Sequence, residues 1–298
     1  MRQTGFLVVL LAGILSLLAP NLQHGMQNLF RRRPAILWTL PILLTAVFAA
    51  ASGAVGALSV PLTLLVLAYT LAPVLVAIVQ GPAEAPRPTA LDFLGILILW
   101  LPIEFAAGAQ LVPRPAQGFL HSVAYGIAIL LGLVLWTGFR SFAGMKYNPP
   151  RAARDFWLPL AGFAMAAPVL AVVGIALGFI PPPHLPALSA GRMAAAVGIV
   201  FVGTALPEEI LFRALIQNLL MQRFGSGTRT LLVASFIFGC AHLDNGPQPL
   251  PNWRYMILAT LAGFAYGKVF QKASTVLSSA GLHMLVDWTC LLYTSRCV

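Results

Sequence analysis

The chain alternates long apolar runs with short polar breaks rich in proline, glycine and arginine. A run of about 20 predominantly apolar residues can cross a bilayer as a helix. The pattern predicts about ten spanning helices, at residues 5–20, 34–58, 62–80, 92–111, 119–139, 156–180, 189–206, 230–243, 253–270 and 276–289. The first run is short and follows Arg2, so a signal-like segment is an alternative there. The pattern therefore predicts an all-α polytopic membrane protein.

Composition supports this class. Of 298 residues, 59% are hydrophobic and 9% are charged, whereas soluble domains carry about 25% charged residues. The net charge of +10 comes mainly from short basic loops, which is the usual cytoplasmic-side bias of a membrane protein. We therefore expect the lipid bilayer, and not nucleic acid, as a partner. We expect a multi-pass protein of a bacterial inner (cytoplasmic) membrane.

The longest polar stretch, residues 140–155, is the best candidate for a domain boundary. It predicts an N-terminal transmembrane region of unknown role at residues 1–154 and a second domain at residues 155–289. The last nine residues, 290–298, resemble a translated sequencing adapter. We expect that tail to be an artefact and exclude it from functional argument.

Charge is scarce and concentrated. Only eight residues are acidic, and two of them are adjacent, Glu208 and Glu209. In the C-terminal half of the chain, three pairs of residues lie four positions apart: Glu209 with Arg213, Phe238 with His242, and His283 with Asp287. Residues four apart share one helix face. Glu208 lies about 100° around the helix from Glu209, so the two carboxylates should have different roles.

Each pair also has a purely structural explanation: an ion pair, a core histidine bonded to a carbonyl, or a local buried hydrogen bond. These explanations are weaker when the three pairs are considered together, because uncompensated carboxylates at membrane depth cost several kcal/mol each. An arrangement in which all of these side chains face one polar cavity has a lower free-energy cost. Such a cavity favours hydrolysis, in which a glutamate accepts a proton from water and imidazoles hold the water or donate to an oxyanion. The same groups are also able to ligate a divalent metal that activates the water.

Three motifs carry a resemblance. The pattern Pro-Glu208-Glu209-x-x-x-Arg213, then Phe238-x-x-x-His242, then His283-x-x-x-Asp287 is similar to the CPBP (ABI) family of intramembrane proteases, related to the type II CAAX prenyl endopeptidases. The resemblance covers roughly residues 187–288 and implies a catalytic helical bundle in the C-terminal half. The third motif often ends in Asn in this family, and here it ends in Asp287.

The resemblance implies roles. Glu208 would activate water and His242 would help to hold it. His283 and Asp287 would lie on the oxyanion side, where an anionic Asp287 would orient His283 or be protonated. Glu209 and Arg213 would shape the site, with Phe238 as a supporting residue.

The implied activity is an intramembrane endopeptidase acting on a membrane-embedded or membrane-associated protein. Family members are named both metalloproteases and glutamate-type proteases, so a metal such as Zn²⁺ stays open and is not required by the sequence. The alternatives are a non-catalytic immunity or scaffolding protein of the same fold, and an ion- or proton-coupled transporter.

Overall fold

The computed structural model describes residues 2–181, 189–246 and 249–294, and these residues form helices joined by turns and loops. No strand occurs in those ranges. Two compact units form the chain, Met1–Gly144 and Met145–Val298. The predicted functional division after residue 154 stays a prediction, and of the suspected tail 290–298 the residues from 295 onward lie outside the described ranges.

The described part of the first unit contains six helices of more than three residues. They are α1 (Arg2–Ser16), α2 (Pro20–Arg32), α3 (Pro34–Ala54), α4 (Val60–Gln80), α5 (Ala90–Glu104) and α6 (Arg114–Phe139). The start of α5 is a capping box, in which Thr89 and Asp92 satisfy each other's backbone N–H groups. The Ser59 hydroxyl caps α4 in a similar way by accepting from Leu62 N.

The second unit contains five described helices. They are α7 (Arg154–Ala176), α8 (Gly191–Phe224), α9 (Thr228–Cys240), α10 (Trp253–Lys272) and α11 (Val276–Thr294). Helix α10 packs against α7, α9 and α11. Helix α8 is 34 residues long, so it extends beyond the seventh apolar run and includes the charged stretch with Glu208, Glu209 and Arg213.

Helix length supports an integral membrane protein but does not confirm ten spans. Among the described residues, α3, α4, α6, α7 and α8 are long and apolar enough to cross a membrane, and α1 with α2 forms a sixth candidate that is bent by 86°. The predicted span 92–111 is a helix of only 15 residues, because Ala106 and Gly108 adopt positive φ angles just after it ends. Helix α9 and the apolar part of α11 are also short.

Candidate active site

The two adjacent glutamates lie in an unusual part of α8. Two π-helical stretches, Phe201–Ala205 and Ile210–Gln217, flank the short α-helical turn Leu206–Glu209. Such wider turns are frequent at functional sites. The Glu209 side chain is fully buried, whereas 23% of the Glu208 side chain is exposed. The two carboxylates therefore have different surroundings.

Arg213 is the fully buried partner of Glu209. Its Nε atom lies 3.2 Å from Oε2 of Glu209. Its guanidinium faces the rings of Phe238 and Tyr266, at 4.5 and 5.5 Å from their centroids. None of its three nitrogens makes a well-aligned hydrogen bond to a described residue. Ion pairing and cation–π attraction, and not hydrogen bonding, hold this charge.

His283 on α11 is the centre of the carboxylate cluster. Its Nδ1 lies 3.1 Å from Glu209 Oε1, and its Nε2 lies 3.2 Å from Asp287 Oδ2 and 3.9 Å from Glu208 Oε2. Its ring stacks on that of Tyr266 at a centroid distance of 4.5 Å. The first and third sequence motifs, 74 residues apart between Glu209 and His283, therefore meet at one imidazole.

His242 lies just beyond the end of α9. Its Nδ1 is 2.9 Å from the carbonyl oxygen of Phe238. A carbonyl only accepts, so Nδ1 carries the hydrogen in this contact, and Nε2 of the neutral ring keeps its lone pair. The ring packs edge-on against Phe238 and Tyr255, at centroid distances of 4.8 and 4.6 Å. His242 thus makes the hydrogen bond to a backbone carbonyl that is typical of a core histidine, and its Nε2 stays available for chemistry.

An apolar cavity of about 420 Å³ adjoins these groups. His242, His283 and Asp287 line it, together with Tyr255 and Tyr266. The rest of the wall is mainly aliphatic and aromatic, for example Phe163, Leu170, Ile175, Phe179 and Leu258. Glu208 does not line this cavity and approaches the cluster at His283. An apolar cavity with a few convergent polar groups is the usual form of a binding site.

The turn that leads into α11, and so places His283 and Asp287, is fastened to the first turn of α7 and to the segment before it. The buried Asp155 carboxylate accepts from the backbone N–H of Ser274 at 2.7 Å and from the Ser274 hydroxyl. The Lys146 ammonium donates to the carbonyls of Phe270 and Ala273 at 2.6 and 2.8 Å. Burial, and secondarily the charge of Arg154, lowers the pKa of Lys146. These contacts fix the turn between α10 and α11.

Sequence reasoning missed two tyrosines of the site. Tyr266 lies in the small-residue segment Gly263-Phe-Ala-Tyr-Gly267. A Cβ on Gly263 would meet Phe238 at 2.9 Å, so the glycine allows α10 to approach α9 closely. The small-residue pattern around Tyr266 was therefore the signal in the sequence that pointed to a close helix contact at this position. Tyr255 has no comparable signal, because only the tertiary structure brings it against His242.

The donor set does not form a ready metal site. Among the described residues, no group of three or more His, Cys, Asp or Glu side chains is arranged to hold a metal ion. Both ring nitrogens of His283 face carboxylate oxygens. A ring that donates from both nitrogens has no lone pair to offer a metal.

Comparison with known families agrees with the three motifs. Residues 190–289 match the model described as Type II CAAX prenyl endopeptidase Rce1-like. Neither the curated proteins nor the solved structures gave a significant match. The family indicates proteolytic activity, and the apolar helices indicate an integral membrane protein. The chain thus carries, at residues 190–289, an Rce1-like region of the CPBP/CAAX protease type.

Proposed function

We propose that this protein is an intramembrane endopeptidase that hydrolyses a peptide bond of a membrane-embedded or membrane-associated protein. One observation carries the proposal. Glu208 lies 3.9 Å from His283, and His283, Asp287 and His242 line the same apolar cavity. A carboxylate beside one imidazole, with a second imidazole in the wall of the adjoining apolar cavity, has the parts needed to activate water and to bind an apolar substrate segment.

In this mechanism Glu208 is the general base. Its carboxylate accepts a proton as water attacks the scissile carbonyl carbon. The Nε2 lone pair of His242 accepts a hydrogen bond from the same water and orients it, since Nδ1 is committed to the Phe238 carbonyl. As the C–N bond breaks, Glu208 returns the proton to the leaving amine. The proton therefore passes from water to product, and the enzyme is restored.

The remaining charged groups act electrostatically. His283 lies between Glu209 and Asp287, at 3.1 and 3.2 Å, an arrangement that suits the imidazolium form. A fixed positive charge there favours the negative charge that develops on the carbonyl oxygen. Arg213 holds Glu209 in place at 3.2 Å. Asp287 orients His283, which is the role expected of an anion at that position.

The setting of this activity is also proposed. The family description names CAAX prenyl endopeptidases, and the mainly apolar cavity wall suits an apolar part of a membrane-associated substrate. We place the protein in a bacterial inner membrane. There α5, α9, α10 and α11 would cross together with the six longer candidates to give ten spans.

The test compares membranes that contain the wild type or Glu208→Gln at equal protein levels. Mass spectrometry of newly formed peptide termini should show cleavage products with the wild type and none with Glu208→Gln. His242→Ala should also abolish them. The matched control is Glu84→Gln, which alters an exposed carboxylate of the first unit. Undiminished cleavage by a stably inserted Glu208→Gln variant would overturn the proposal.

A further inference from the structure

The proposed chemistry leaves the oxyanion short of a neutral hydrogen-bond donor. An ionised Asp287 only accepts. Nε2 of His283 faces Asp287 Oδ2 at 3.2 Å, and Nδ1 faces Glu209 Oε1 at 3.1 Å. Both N–H groups of this ring are therefore engaged by carboxylates. A donor aimed at developing charge is commonly the largest single contribution to acyl-transfer catalysis, so another donor is expected in the cavity.

Tyr255 is placed to be that donor. It lines the cavity with His242, His283 and Asp287. Its ring packs against His242 at 4.6 Å and against Phe179 at 5.0 Å, which holds the ring in place beside the cavity. Its hydroxyl makes no hydrogen bond to any other described residue. A tyrosine hydroxyl next to an apolar cavity normally has a partner, and a bound substrate would supply one.

The neighbouring Tyr266 is less suited to this role. Its ring stacks on His283 and also faces Arg213, and only 1% of the residue is exposed. Tyr255 is partly exposed. The more accessible phenol therefore belongs to Tyr255.

The first turn of α10 holds Tyr255 in register with His242. The buried Asn252 side chain accepts from the backbone N–H of Tyr255 at 3.2 Å and donates to the carbonyl of Asn245 at 2.9 Å. Its own backbone N–H donates to the carbonyl of Leu243 at 2.5 Å. One residue thus ties the turn after His242 to the start of α10.

We propose that Tyr255 is a catalytic residue whose phenolic O–H donates a hydrogen bond to the oxyanion of the tetrahedral intermediate. The inference rests on the proposed function. No proton leaves the phenol: the hydrogen bond strengthens as the carbonyl oxygen gains charge, and it weakens when the C–N bond breaks. The interaction is therefore strongest in the transition state and should appear in kcat more than in KM.

The test uses Tyr255→Phe, which keeps the ring packing and removes only the O–H. The full chain in lipid nanodiscs is assayed on a fluorogenic peptide taken from the strongest cleavage site found with the wild type. The expected result is a fall in kcat of about 10²–10³-fold, with KM within about twofold. Tyr69→Phe is the matched control, because it removes a phenol that donates to the Leu99 carbonyl in the first unit.

A second measurement separates catalysis from folding. A peptide aldehyde of the same sequence binds as its tetrahedral hydrate, whereas the uncleaved parent peptide binds as a ground state. Tyr255→Phe should weaken the aldehyde about 10²-fold and leave binding of the peptide unchanged. Equal effects on both ligands, or a kcat within threefold of wild type, would overturn the role of Tyr255 and leave the proposed function intact. No cleavage by the wild type would overturn the proposed function as well.

Discussion

Two buried arginines show how differently the two units treat an internal charge. In the first unit Arg140 is hydrogen-bonded on every side, to Asp92 Oδ1 at 3.0 Å, to the Gly81 carbonyl at 2.9 Å and to Gln80 Oε1 at 3.4 Å. In the second unit Arg213 has one ion pair and two aromatic faces, without a well-aligned hydrogen bond to a described residue.

The difference separates structure from chemistry. A satisfied buried network fixes a fold, and here it joins the end of α4, the start of α5 and the end of α6. A buried polar group that lacks hydrogen-bond partners needs an explanation other than structural stability. For Arg213 the explanation is its place beside a cluster in which three carboxylates surround His283 next to a cavity. In the first unit, by this comparison, the buried charge of Arg140 has a structural role.

The largest expected effect separates the two arginines. Arg140→Met leaves the buried Asp92 carboxylate without its cation, and Arg213→Met leaves Glu209 with only His283, which it shares with Asp287. Each change should destabilise the protein by roughly 3–5 kcal/mol. Only Arg213→Met should also lower cleavage per folded molecule, by about 10²-fold or more, because a misplaced catalytic group costs that much. Unfolding in mixed micelles and the peptide assay measure the two effects. Equal loss of activity in both variants would contradict the comparison.

The next effect concerns the first unit alone. Asp92→Asn combined with Arg140→Met removes both charges while Asn keeps the helix cap at Thr89. The pair should recover about 2–3 kcal/mol of the stability lost in Arg140→Met, since breaking a buried pair costs more than replacing it. A double-mutant cycle on unfolding in micelles measures this. Additive losses would show that Arg140 acts through its other contacts.

A smaller effect should follow from filling the close approach of α10 to its neighbours. A Cβ on Gly267 would lie 2.5 Å from Gln217 Oε1 and would also meet Leu231. Gly267→Ala should therefore cost about 1–3 kcal/mol through overpacking. Gly118→Ala, where nothing lies within 4 Å, is the control and should be neutral or slightly stabilising. Thermal unfolding in detergent compares the two, and equal shifts would count against the packing argument.

The smallest effect is expected for Asp287→Asn. In the wild type His283 Nε2 lies 3.2 Å from the Asp287 carboxylate. In the variant the amide oxygen still accepts from Nε2, and the amide nitrogen adds a donor beside the cavity. Cleavage should stay within about tenfold of wild type, because loss of the anion and gain of a donor act in opposite directions. Steady-state kinetics checks this, with Asp287→Leu as the inactive comparison. Complete inactivity of Asp287→Asn would show that the negative charge itself is required.

The sequence by itself determined the local geometry of the site. Helical periodicity brings Arg213 to Glu209 at 3.2 Å and Asp287 to His283 at 3.2 Å, because residues four apart share a face. The same rule brings His242 to the carbonyl of Phe238. The three motifs also pointed to the Rce1-like region at residues 190–289. The apolar runs indicated a helical membrane protein but not its number of spans, since apolar length does not reveal where φ turns positive, as at Ala106.

Only the tertiary structure decided which pairs meet. No local rule joins Glu209 to His283 across 74 residues, and none predicts the π-helical turns on either side of Glu208. Packing of α10 between α9 and α11 brought Tyr255 to His242 and Tyr266 to His283. The physical reason is that helix periodicity fixes directions within one helix, whereas contacts between helices depend on how side chains and glycines pack.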